Sequence, residues 1–121
     1  MELTHEMIDG MMVVRCVEPR LDALVAIKFK DGFHDLVGSD STRFILDLSN
    51  VLFLDSSGLG AVVAVYKLLG SDRTLDLVGL TSAVERVFKL TRMDSVFAIY
   101  PDVASAVAAG RAAGPGIAAT G

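Results

Sequence analysis

The sequence predicts a single α/β domain: a mixed, mainly parallel sheet of about five strands covered by helices. Three observations carry that prediction. Strand-like and helix-like patterns alternate after an initial hairpin, in the order β-β-α-β-α-β-α-β-α. The chain has 121 residues, enough for one domain with its own core. It is 52% hydrophobic and 21% charged, with no Trp, so that core is built mainly of Val, Leu, Ile and Ala with a few Phe.

Glu2 to Ile8 and Met11 to Val17 read as two strands joined at Asp9-Gly10, a strong hairpin signal. Pro19, which has no N–H to give a ladder, ends the second strand. From Leu21 to Val37 the period becomes helical, with Val25, Phe29, Phe33 and Leu36 on one face and Lys28, Asp31 and Asp35 off it. Gly32 weakens that helix by about 1 kcal/mol relative to Ala. Gly38-Ser39-Asp40-Ser41 closes it. Arg43 to Leu48 is a short apolar run, as expected of a strand covered on both faces, and Val51 to Leu54 resumes it after Ser49-Asn50.

The next helix spans Leu59 to Leu69. Leu59, Val62, Val63, Tyr66 and Leu69 share its expected inner face, while Ala61, Ala64, Val65 and Leu68 lie opposite and only Lys67 is charged. A helix apolar on both sides is buried twice over or shows one side to a partner, which leaves self-association open. Leu75 to Leu80 is a strand. Thr81 or Ser82 then caps a helix with Val84, Val87, Phe88 and Thr91 inside, and Ser82-x-x-Glu85 has capping-box spacing. Val96 to Tyr100 is the last strand, and Pro101-Asp102 opens an Ala-rich helix to about Ala109. The domain is thus expected over residues 1–109, with 110–121 a flexible Gly/Ala-rich tail.

Formal net charge is -4, with no local basic cluster, which argues against direct nucleic-acid binding. Cys16 is alone and reads as a small strand residue. The polar start lacks a signal peptide, and no apolar run is long enough to span a bilayer, so a cytoplasmic location without membrane insertion is expected.

The chemistry concentrates at Asp55-Ser56-Ser57-Gly58-Leu59-Gly60, where a strand end opens directly into a helix. Asp or Ser here would cap the orphan N–H groups of the first turn. The same place, at the positive end of the helix dipole, would also accommodate a phosphate ester. Gly58-x-Gly60-x-x-Val63 is a weak dinucleotide match, because its third position is Val and Asp76 falls inside a strand. A response-regulator receiver needs an acidic pair after the first strand and a Lys after the last, and neither is present. No Gly-x-Ser-x-Gly elbow surrounds the serines. His5 and His34 read as ordinary surface residues, and no metal-ligand spacing occurs. The residues supply no enzyme, and no cofactor is expected.

The run Phe44-Ile45-Leu46-Asp47-Leu48-Ser49-Asn50-Val51-Leu52-Phe53-Leu54-Asp55-Ser56-Ser57-Gly58-Leu59-Gly60 resembles the STAS family of sulfate transporters and anti-sigma factor antagonists. The resemblance extends to Arg20-Leu21-Asp22, Leu77-Val78-Gly79-Leu80 and Met93-Asp94-Ser95-Val96-Phe97, covering roughly residues 2–109. It implies a STAS-like fold and a partner switch. In such antagonists an anti-sigma factor, also a serine kinase using ATP and Mg²⁺, binds the unphosphorylated chain and releases its sigma factor. Phosphorylation ends the interaction, and a serine phosphatase resets it. The acceptor implied here is Ser57. Asp22, Asp55, Ser56, Gly58, Leu59 and Gly60 are the implied partner-binding residues. Pro19-Arg20 stands where that family more often has a glycine nearby. A STAS subunit of a phospholipid-transport complex or stress-signalling scaffold is the alternative.

Overall fold

The computed structural model describes residues 3–113. β1 (Leu3–Ile8) and β2 (Met11–Cys16) pair antiparallel with Ile8 opposite Met11, so Asp9 and Gly10 form a two-residue turn. Both have positive φ, 50° and 79°, which the tight hairpin turn requires and which Asp and Gly tolerate better than other residues. After β3 (Arg20–Leu21) come α1 (Ala23–His34), β4 (Arg43–Asp47), β5 (Phe53–Leu54) and α2 (Ser56–Leu69). β6 (Thr74–Val78), α3 (Ser82–Leu90), a 3-10 turn at Met93–Ser95, β7 (Ala98–Tyr100) and α4 (Val103–Ala113) complete the described residues.

The main sheet has the order β1-β2-β4-β6-β7, parallel throughout except for the β1–β2 hairpin. Strand alternation sorts its side chains between two layers. Met12, Val14 and Cys16 of β2 join Phe44 and Leu46 of β4 in the larger core, with α1, α2 and α3. Met11, Val13 and Ile45 join Ala106 and Val107 of α4 in the smaller one. Phe29, Phe33 and Phe44 form an aromatic chain with ring centroids 6.0 and 5.7 Å apart. Each is fully buried, worth about 1.5–3 kcal/mol of apolar burial.

The five-stranded mixed sheet and its helical cover are those expected, with local departures. Arg20 and Leu21 are strand, so α1 begins at Ala23, and it ends at His34. Of the run Val51 to Leu54, only Phe53 and Leu54 are strand, paired with β3 in a separate two-stranded ladder. The inner face of α2 is Gly58, Ala61, Val62, Val65 and Leu69, so the helix is turned from the expected face and Tyr66 is exposed. Ser82 is not a cap: Thr81 is the N-cap residue, and no side-chain cap bond forms there. α4 runs on to Ala113, and residues 114–121 of the expected tail lie outside those described.

Candidate functional site

β3 and β5 are only two residues each, yet they position everything at this end of the molecule. They pair in parallel with Leu21 opposite Leu54. Asp22 and Asp55 each follow a paired residue, so the two carboxylates emerge side by side from neighbouring strands. Each then caps a helix. Asp22 Oδ1 accepts from the Val25 N–H at 3.2 Å at the start of α1, and Asp55 Oδ1 accepts from the Gly58 N–H at 2.9 Å at the start of α2. Neither helix carries an acidic residue in its first turn.

The α2 start is pressed against β3. A Cβ added at Gly58 would lie 2.0 Å from the Leu21 carbonyl oxygen, so only glycine permits this approach. Ser56 and Ser57 occupy the first two helical positions and are exposed. Because Asp55 does the capping, neither hydroxyl is needed for it. This separates the two readings that the sequence left together at Asp55-Ser56-Ser57-Gly58: the cap is the aspartate, and the serines face solvent.

Of the other expected site residues, Leu59 is half-buried and Gly60 exposed. Both line, with Ser56, Val63, Thr91 and Met93, a largely apolar groove between α2 and the end of α3. The groove extends the site beyond the residues picked out in the sequence. Phe53 was missed as well, and Arg20 entered only as part of a matching tripeptide and of the Pro19-Arg20 departure, with no role of its own. The Arg20 guanidinium lies 4.2 Å from the Phe53 ring centroid, and its Nε is 3.4 Å from Asp22 Oδ2. The two residues are register partners across β3 and β5, a relation that sequence spacing does not disclose.

The electrostatics follow from these bonds. The Val25 N–H chiefly, with Arg20 adding to it against some desolvation, holds the Asp22 carboxyl below its ordinary value. Elsewhere, burial pushes the Cys16 thiol up and away from reactivity. Asp76, expected inside its strand, lies in β6 opposite Ile45 and Ala98, where burial raises its carboxyl. Among the described residues no cluster of His, Cys, Asp and Glu could hold a metal ion, and no helix is long and apolar enough to cross a membrane.

Known proteins share this fold. Residues 2–106 match the STAS domain. An anti-sigma-B factor antagonist of Listeria monocytogenes is 30% identical over 84 residues, 69% of this chain and 74% of its own length. The anti-sigma-F factor antagonist RsfB of Mycobacterium tuberculosis is 25% identical over 89 residues, 74% of this chain and 73% of its own. The crystal structure of an anti-sigma factor antagonist from Mycobacterium paratuberculosis superposes with a TM-score of 0.83 at 30% identity, covering 91% of this chain and 93% of that one. With the family matched over nearly all of the described fold, this chain belongs to the STAS domain family.

Proposed function

We propose that this protein is an anti-sigma factor antagonist switched by phosphorylation of Ser57. In its unphosphorylated form it binds an anti-sigma factor that is also a serine kinase, and the sigma factor is released. The chain itself catalyses nothing. Asp22, Asp55, Ser56, Gly58, Leu59 and Gly60 form the contact surface around the acceptor, and a serine phosphatase restores the binding form.

The observation that carries this reading is the division of labour at the α2 start. Asp55 caps the helix, and Ser57 is exposed on its first turn. A phosphoryl group there adds about 1.5–2 negative charges without removing any bond the fold uses. It lands in the helical turn that Asp55 caps, next in sequence to Ser56, which lines the apolar groove. A partner seated on that surface would have to desolvate the new charge, so binding is lost while the domain stays folded. The antagonist names of its relatives support the same reading.

Intact-mass analysis after incubation with a candidate anti-sigma kinase, ATP and Mg²⁺ tests it. Wild type should gain one phosphate and Ser57→Ala none, with Ser82→Ala, at the α3 start, behaving as wild type. Phosphate retained on Ser57→Ala would refute the acceptor. No phosphate on wild type, from a kinase active on a control substrate, would favour a constitutive subunit of a phospholipid-transport complex or stress-signalling scaffold.

A further inference from the structure

Arg20 is a cation placed among the anions of this surface. Its guanidinium is positioned by Phe53 at 4.2 Å and by Asp22 at 3.4 Å. Neither contact holds it firmly. The Arg20 side chain is 59% exposed, and an ion pair so open to water is weak. The guanidinium is therefore pre-positioned and released at little cost. Its strand also touches the first turn of α2, because a Cβ at Gly58 would fall 2.0 Å from the Leu21 carbonyl oxygen. Consecutive Cα atoms are about 3.8 Å apart, which puts the Ser57 Cα within roughly 7 Å of that oxygen. Arg20 is the residue before Leu21, so its Cα and that of Ser57 are at most about 14 Å apart. An extended arginine of about 7 Å, a phosphoserine of about 5 Å and a hydrogen bond of about 3 Å span that gap.

We propose that Arg20 is the receptor for the phosphate on Ser57: in the phosphorylated chain its guanidinium exchanges the Asp22 carboxylate for the phosphate oxygens. This rests on the reading of Ser57 as the acceptor. The exchange runs downhill because a phosphate dianion offers two charges and three acceptor oxygens where a carboxylate offers one charge and two. The planar guanidinium can take two of those oxygens at once. Asp22 keeps its stronger partner, the Val25 N–H, so α1 remains capped when Arg20 leaves. Phosphorylation then changes the partner surface twice. It adds charge at Ser57, and it draws Arg20 off Phe53, which is already 39% exposed.

The test uses the full chain with phosphoserine installed at position 57 during translation, so that no kinase is involved. The second ionisation of the phosphate, ordinarily near pH 6, is followed by phosphorus NMR. With Arg20 intact its midpoint should lie about half a pH unit below that of Arg20→Ala, and the gap should narrow as salt is raised. Arg20→Lys should keep part of the shift, as a charge without the planar fork. Coincident midpoints for the parent and Arg20→Ala would overturn the receptor and leave the switch standing. Failure of the switch would instead be seen in the mass assay, whatever the NMR result.

Discussion

At the start of α2 a carboxylate caps the helix: Asp55 Oδ1 takes the Gly58 N–H, and the hydroxyls of Ser56 and Ser57 stand in solvent. At the start of α3 Thr81 holds the equivalent N-cap position, but its hydroxyl turns away and donates to the Val51 carbonyl oxygen at 2.7 Å. That bond ties α3 to the loop before β5 across 30 residues. The first turn of α3 also carries Glu85, paired with Lys89 at 3.5 Å, whereas the first turn of α2 carries no acid. Similar hydroxyl-rich sequences thus serve different ends. One start spends its hydroxyl on tertiary structure. The other is capped by a carboxylate and leaves two hydroxyls accessible.

The largest expected effect probes how tightly the α2 start is held. Gly58→Ala forces a Cβ against the Leu21 carbonyl, a backbone group that cannot swing aside, and should cost about 3 kcal/mol or more. Two residues further on, Gly60 has nothing within 4 Å of its would-be Cβ, so Gly60→Ala should stabilise the helix by up to about 1 kcal/mol. Urea midpoints should therefore move in opposite directions. A Gly58→Ala chain that unfolds at the wild-type midpoint would show that β3 and α2 are not packed as described.

Smaller losses are expected from the two N-cap residues themselves, and they should differ in kind. Thr81→Val leaves the carbonyl of buried Val51 without its donor, a loss of about 1–3 kcal/mol that Thr81→Ser should largely restore. Asp55→Ala removes a cap and should cost about 1 kcal/mol, with Asp55→Asn close to wild type. If Thr81→Val proved neutral in chemical denaturation, the contrast between a structural and a spare hydroxyl would collapse.

How much of this was legible in the sequence depended on whether the deciding contact was local. The β1–β2 hairpin was read from Asp9-Gly10, because the turn chemistry lies within two residues. The buried face of α2 was not, because Leu59, Val63 and Tyr66 are as apolar as Ala61 and Val65, and a helix apolar all round has no period to read. The capping box at Ser82 and Glu85 does not form because Thr81 holds the N-cap position, and the Thr81 hydroxyl is itself engaged by the distant Val51 carbonyl. At the site, Ser57 and its glycine were visible as a helix start. The adjacency of Asp22 to Asp55 and of Arg20 to Phe53 came from the register of β3 on β5, strands too short to announce themselves. Only resemblance to a family had placed Asp22 there.

The smallest effect separates carboxylate caps from the hydroxyl residue at α3 by their response to acid. Asp22 caps α1 beside the α2 start, and its folded-state pKa lies below the ordinary 3.8, first through the Val25 N–H and then through Arg20. Because the folded pKa is the depressed one, the unfolded chain binds the proton more readily in this window. The contribution of Asp22 to stability is therefore complete above about pH 4 and is lost as pH falls through 3.8 towards the folded value. Asn caps a helix nearly as well as Asp and does not titrate, so Asp22→Asn should match wild type at pH 6 and lose less stability on acidification. Thr81→Ser, tested in parallel, should leave the acid limb unchanged, since no titrating group is altered at α3. Parallel acid limbs for Asp22→Asn and wild type would mean that the Val25 N–H does not favour the charged carboxylate, and the carboxylate-capped end would lose its electrostatic distinction from α3.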